Sequence, residues 1–369
     1  MYFIPVTTWR LCTYDTNSGD KLCTVDINNN TKKAGSTPSV LIIGPSWVGD
    51  MVMMQSLCIT LKQQNPNTII DVVAPTWSLP ILERMREVRD AIALDLQHGE
   101  LGLGKRWQLG RMLSQKGYNR AIVIPRSLKS ALVPFFAGIP KRRGYLGEMR
   151  YLLLNDIKKL DKGVLTQTVQ RYVALSHNGD DRVAPSIPFP ELRVSEKGRD
   201  NLVKKFGLGD GNIVALLPGA EYGPAKQWPL EHFAEVGAEL CRRGKQVVVM
   251  GSDKDHADGE KITSLADGEI LNLCGETSLE EAVDLLSLCD LAITNDSGLM
   301  HLAAAVGVEM VAIYGSSTPD YTPPLTERAS IFYRQLECSP CFERECRFGH
   351  AKCLAEITPQ QVLALIHHN

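Results

Sequence analysis

Asp50 ends the run Ser39-Val-Leu-Ile-Ile-Gly44-Pro-Ser-Trp-Val-Gly49-Asp50. There an apolar stretch suited to a buried strand breaks at small residues and restarts as a helix. The macrodipole stabilises a carboxylate in the first turn of a helix, which fits Asp50 to accept a proton. Asp is also a frequent N-cap, and on the sequence both readings of Asp50 stand. The spacing Gly44-x4-Gly49 matches neither of the phosphate loops it invites comparison with. Position 46 is Ser where a dinucleotide fingerprint needs Gly, and Asp50-Met51 stand where a P-loop needs Lys followed by Ser or Thr.

Two later junctions carry the opposite chemistry. Leu216-Leu-Pro-Gly219-Ala220-Glu221-Tyr-Gly223-Pro-Ala-Lys226-Gln-Trp228-Pro229 joins a strand to a helix. Its glycines allow an anion to approach the backbone, and Lys226 supplies a mobile positive charge. Leu291-Ala-Ile-Thr-Asn-Asp296-Ser297-Gly298-Leu-Met-His301 repeats the strand-to-helix break, leaving N–H groups at a helix start where a diphosphate can sit. Asp296 has the wrong sign for a phosphate contact, so capping or holding Lys226 fits it better. His301 follows Ser297 by four residues and shares its helical face.

These junctions need parallel sheets to hold them. Strand-like runs at Val40–Ile43, Ile69–Ala74 and Ala121–Ile124 alternate with helical patterns at Met51–Gln64, Leu79–Met85 and Trp107–Lys116. Such alternation implies right-handed βαβ crossovers. After the stiff stretch Pro185–Pro190 the pattern resumes, with strands at Ile213–Leu217, Gln246–Met250, Leu291–Thr294 and Met310–Tyr314. The helices between them fit His232–Arg243, Asp255–Ala266, Leu279–Leu288 and Leu299–Ala305. The expectation is an α/β chain of two Rossmann-like, doubly wound domains facing a central cleft. Residues 39–190 form the first and 191–369 the second, after a polar, turn-rich extension at 1–38 that reads as disordered.

The 369 residues suffice for two cores, and a net charge of −2 gives no support for general nucleic-acid binding. Locally, Arg126–Arg150 holds six basic residues against one acid, Glu148. No apolar run approaches the roughly 20 residues that span a bilayer, and no secretory leader is evident, so a reducing cytoplasm is expected. Most of the ten cysteines should then be free thiols. Cys58, Cys241, Cys274 and Cys289 lie in apolar periodic segments and read as core. Cys338-x2-Cys341-x4-Cys346-x6-Cys353 could hold a structural zinc, although its spacing departs from paired C-x2-C.

Gly-Pro-Ser-Trp-Val-Gly-Asp50, Pro-Gly-Ala-Glu-x-Gly-Pro-Ala-Lys226-x-Trp-Pro and Asn-Asp296-Ser-Gly-Leu-Met-His301 together resemble the lipopolysaccharide heptosyltransferases of glycosyltransferase family 9. Lys129–Pro140, Gly147–Arg150 and Asp320–Pro324 strengthen the likeness, which runs from about Val40 to the C-terminus. The resemblance implies the GT-B fold, with the nucleotide sugar held mainly by the C-terminal domain. It further implies inverting transfer of a heptose from ADP-L-glycero-D-manno-heptose to the first heptose of the inner core, heptosyl-Kdo2-lipid A. Related readings are a family 9 transferase adding the first or third heptose, or a non-catalytic nucleotide-sugar-binding protein.

By that resemblance Asp50 is the general base. Gly219, Ala220, Glu221 and Lys226 form the phosphate loop, and Asp296, Ser297, Gly298 and His301 form its second element. Asp255 contacts the nucleoside, and Thr277 lines the adenine pocket. Where some relatives carry hydroxyl residues after Pro-Gly, this chain has Ala220-Glu221. Lys226 and the helix N-terminus would stabilise the departing ADP, which can make a divalent metal unnecessary, so ADP-heptose is expected as donor with no cofactor. Lys129, Arg142, Arg143 and Arg150 are expected to guide an anionic, lipid-anchored acceptor, with the protein peripheral at the inner face of the inner membrane. Phe135 and Phe136 read either as core, the favoured reading, or as membrane-facing.

Overall fold

The computed structural model describes residues 13–14, 21–22, 37–96, 99–179, 182–209 and 211–366. Within the N-terminal extension the described pieces are β1 (Thr13–Tyr14) and β2 (Lys21–Leu22), which pair antiparallel. Positions 37 and 38 are also described, and elsewhere the disorder expected of residues 1–38 lies outside the described residues.

The chain divides into two compact units, each with its own parallel sheet. The first unit takes residues up to 46 together with 57–165 and 171–185. Its strands are β3 (Ser39–Ile43), β4 (Ile69–Ala74), β5 (Asp90–Ala93), β6 (Arg120–Val123), β7 (Lys141–Tyr145) and β8 (Asp156–Lys158), in the order β5-β4-β3-β6-β7-β8. Every pairing is parallel, so each connection crosses over a face. The crossovers carry α1 (Val48–Gln64), α2 (Leu79–Glu83), α3 (Leu103–Leu113), α4 (Leu132–Phe136) and, after β8, α5 (Thr168–Ala174). Leu41, Ile43, Val73, Val123, Leu109 and Val133 pack in the core beneath α3 and α4.

The second unit takes residues 47–56, 166–170 and 186 onward. Its strands are β9 (Ile213–Leu217), β10 (Gln246–Val249), β11 (Ile270–Asn272), β12 (Leu291–Asn295), β13 (Glu309–Tyr314) and β14 (Ala329–Tyr333), in the order β11-β10-β9-β12-β13-β14. The helices are α6 (Glu196–Phe206), α7 (Leu230–Arg242), α8 (His256–Leu265), α9 (Leu279–Leu286), α10 (Gly298–Ala305), α11 (Lys352–Ala355) and α12 (Pro359–Leu365). Trp228, Phe233, Val247, Ile293 and Ile313 lie at the centre of its core. Both sheets follow the doubly wound 3-2-1-4-5-6 order, which reverses between the first and fourth strands and opens a crevice there.

The central strands match the apolar runs within a residue or two, because a strand buried on both faces must be continuously apolar. The strands without such a run are edge or near-edge strands. β7 is Lys-Arg-Arg-Gly-Tyr, and its charges survive inside because Arg143 meets Asp156. α6 also lacked an apolar signal; its ends are marked by Ser195, whose side chain accepts from the Gly198 N–H, and by left-handed Gly207.

Candidate active site

In the second unit the loops expected to bind an anion leave β9 and β12, the adjacent strands at which the sheet order reverses. Asn295, fully buried at the end of β12, ties them together. Its amide donates to the Pro218 carbonyl (2.6 Å) and accepts from the Trp228 N–H (3.0 Å), so both ends of the β9 loop are fixed against β12. Between those anchors Pro224–Lys226 forms one tight turn after Gly223, whose φ of 151° suits glycine and where a Cβ would fall 2.5 Å from the Arg344 carbonyl oxygen.

This places Lys226 Nζ 2.5 Å from Asp296 Oδ2, so Asp296 holds the lysine as its charge suggested. Ser317 Oγ donates to the same oxygen (2.5 Å) and Thr322 Oγ1 to the other (3.4 Å). Lys226 also lies 5.2 Å from the Tyr222 ring, whose centroid has Arg344 at 5.5 Å. Around this pair, Ser297 Oγ, His301 Nδ1 and Ser316 Oγ are buried without a hydrogen-bond partner. Buried polar atoms normally find partners, and three orphans beside one cation mark a seat for a ligand rich in acceptors. Burial pushes the His301 imidazole down to about 4, with Asp296 and Lys226 acting on it in opposite directions. His301 is therefore neutral near pH 7 and can meet a phosphate as an N–H donor, not as a cation.

Asp50 belongs to the same unit. The first turns of α1 and α10 pack directly together: a Cβ on Gly49 would lie 2.5 Å from His301 Cδ2, and one on Gly298 2.8 Å from Val48 Cβ. Asp50, half-buried, is thus one residue from the backbone that the His301 ring covers. On the other flank, a Cβ on Gly219 would lie 3.0 Å from the Asp255 carboxylate. Asp255 also accepts from Ser252 N–H and Oγ. Glu221 pairs with Lys254 (2.6 Å), and half-buried Thr277 follows the Cys274–Gly275 turn, where Gly275 N–H bonds the Gly251 carbonyl. Ala220 accepts from the Gly223 N–H. Thr277, Asp255, Gly219, Lys226, Ser297, His301 and Asp50 therefore lie along the carboxyl ends of β11, β10, β9 and β12 and the adjoining turn of α1. Arg344 and Ser317 were not expected there. Arg344 sits among the cysteines that drew the metal question, and a lone serine in Gly-Ser-Ser-Thr carries no motif.

The basic residues of the first unit require a correction. Arg143 is 3% exposed, bonded to Asp156, Asn178 and the Leu175 and His177 carbonyls. Arg150 is 1% exposed and donates to the Pro125, Ser127 and Tyr145 carbonyls. Both guanidinium groups hold loops together and are not available to a ligand. Arg142 is half-buried, bonded to the Ile139 and Leu153 carbonyls, and Lys129 is half-buried in the turn before α4. Phe135 is exposed rather than core. Cys58, Cys274 and Cys289 are buried as expected, whereas Cys241 is partly exposed. Cys338, Cys341, Cys346 and Cys353 are free thiols, and among the described residues no group of three or more His, Cys, Asp or Glu side chains is disposed to hold a metal.

Two doubly wound units, one with a cationic seat where its sheet order reverses, are the architecture of the GT-B glycosyltransferases. The sequence pattern of the family Glycosyltransferase family 9 (heptosyltransferase) matches residues 106–352. The chain is 47% identical over 338 residues to the Lipopolysaccharide heptosyltransferase 2 of Salmonella typhimurium, covering 89% of this chain and 97% of that one. With the Lipooligosaccharide heptosyltransferase 2 of Haemophilus influenzae it shares 46% identity over 88% of this chain and 97% of the other. The solved E. coli ADP-heptose lps heptosyltransferase II superposes with a TM-score of 0.78 at 45% identity, over 88% and 96% of the two chains. This chain belongs to glycosyltransferase family 9, the heptosyltransferases, and is a glycosyltransferase.

Proposed function

We propose that the protein transfers a heptose from ADP-L-glycero-D-manno-heptose to the first heptose of a lipid-anchored lipopolysaccharide inner core, inverting the anomeric centre. The observation that carries this reading is the packing of α1 on α10, which brings the Asp50 turn beside the Lys226–Asp296 seat within one unit. The acceptor hydroxyl oxygen attacks the anomeric carbon as Asp50 takes its proton, and the bond to the ADP oxygen breaks. Lys226, Ser297, His301 and the α10 N-terminus meet the charge that develops on the diphosphate, an arrangement set before the reaction begins. Asp255 and Thr277, farther along the strand ends, suit the nucleoside. Gly219, Ala220, Glu221 and Gly298 contribute through backbone and loop shape. Lys129 and Arg142 suit the anionic acceptor, and on this reading the protein acts peripherally at the cytoplasmic face of a membrane. No helix of the described residues is long and apolar enough to cross one.

ADP release from ADP-heptose, measured with acceptors carrying zero, one or two heptoses, tests the reading. Turnover should require the one-heptose acceptor. Asp50→Ala should lower kcat by about 10²–10⁴-fold while ADP affinity is retained; full turnover in that variant would remove the base.

A further inference from the structure

The first unit displays apolar side chains that its core does not use. Met149 is 84% exposed, Tyr151 59% and Leu152 88%, all in the loop between β7 and β8. This loop is anchored. Arg150 fixes it from within through its three carbonyl bonds, and Glu148 accepts from the Leu128 N–H (2.8 Å). Met149 itself holds φ 23°, a costly conformation for a residue with a Cβ, so the tip is kept in place rather than left loose. Leucine and methionine held outward gain nothing in water.

Contacts carry the apolar character onward from the loop. Arg142 bonds the Leu153 carbonyl and lies 5.5 Å from the ring of exposed Phe135 on α4. Phe135 meets Phe136 edge to face, and a Cβ on Gly110 of α3 would lie 2.5 Å from Phe136 Cβ. Leu103 and Trp107, more than half exposed, precede Gly110 by seven and three residues and so share its stripe of α3. Leu128, also exposed, adjoins the loop through Glu148. Interleaved with these are Arg126, Lys129, Lys141 and Arg142. Of the acids nearby, Glu148 is tied to the Leu128 N–H and Asp156 pairs with Lys141 and Arg143.

We propose that the loop 147–153, with Phe135, Leu128 and the Leu103–Trp107 stripe, is the surface by which this unit docks on a bilayer of anionic headgroups. Met149, Leu152 and the aromatic rings enter the interface, and the basic side chains meet lipid phosphates. Aromatic residues and long basic side chains are the residues that settle at that depth. A protein partner would need the basic and apolar groups segregated into a core and a rim, and here they alternate. The proposal rests on the transferase reading in one respect, that the acceptor is anchored in lipid.

Sedimentation of the full chain with vesicles of phosphatidylcholine, with and without phosphatidylglycerol, tests it. The wild type should bind the anionic vesicles, and bind them less at high salt or without phosphatidylglycerol. Met149→Ser/Leu152→Ser should weaken partitioning about tenfold or more, with an unchanged melting temperature and unchanged turnover on an acceptor stripped of its acyl chains. Failure of the wild type to bind anionic vesicles, or equal binding by the double variant, overturns the proposal. A wild type that binds vesicles but transfers no sugar overturns the transferase reading and leaves this one standing.

Discussion

At the scale of single residues, the seat is built from groups kept short of partners. Lys226 is held by one carboxylate, and that carboxylate is held by two hydroxyls, so the ammonium is positioned yet can turn toward a diphosphate. Lys226→Ala should weaken donor binding and lower kcat together, because in the proposed mechanism the same charge serves the bound ADP-sugar and the departing ADP; unchanged steady-state kinetics would exclude the role. His301 gives a prediction in pH. Its folded value lies near 4, below the ordinary 6.5, so the unfolded chain takes up the proton first as pH falls. Stability should be level above about 6.5, and about 3 kcal/mol should be lost as pH drops to about 4. Urea titrations of wild type and His301→Gln across that window measure it, the variant lacking this part of the loss.

At the scale of elements, close approach of two helix starts is what joins the proposed base to the seat. Gly49 is needed because the His301 ring occupies the space a side chain would take. Gly49→Ala should force α1 away from α10, costing about 1–3 kcal/mol of stability and lowering kcat more than it raises the donor KM. Calorimetry and kinetics on the one variant separate the two effects. In the first unit, Arg150→Ala should destabilise by about 2–5 kcal/mol, since three carbonyls lose the buried donor they share beneath the loop. Were Arg150 an acceptor contact instead, the variant would melt normally and show a raised acceptor KM.

At the scale of the molecule, each unit has its own sheet and core, and the residues proposed to hold the donor lie in one of them. ADP should therefore slow amide exchange in 218–227 and 295–301 while leaving 141–158 of the first unit unchanged. Hydrogen exchange with and without ADP reads this directly. Equal protection of both stretches would show that the donor engages both units.

The central strands and the three glycine-rich junctions were readable from residue order, because a strand buried on both faces and a turn at a helix start each impose a local composition. The same holds for the pairing of Asp296 with Lys226, which followed from the sign of a charge. The edge strands β5, β8, β11 and β14 and the near-edge strand β7 were not readable: an edge strand is held by one neighbour, and β7 by the Arg143–Asp156 pair, rather than by a long apolar run. The fate of the arginines was likewise hidden. Arg143 and Arg150 look no different in sequence from Lys129 or Arg126, and only packing determines which guanidinium meets carbonyls and which meets solvent. That Asp50 should face the anion seat was expected, but the direct packing of its turn on His301 was hidden for the same reason: residues some 250 positions apart meet because two helix starts lack side chains at the point of contact, and folding alone aligns those gaps.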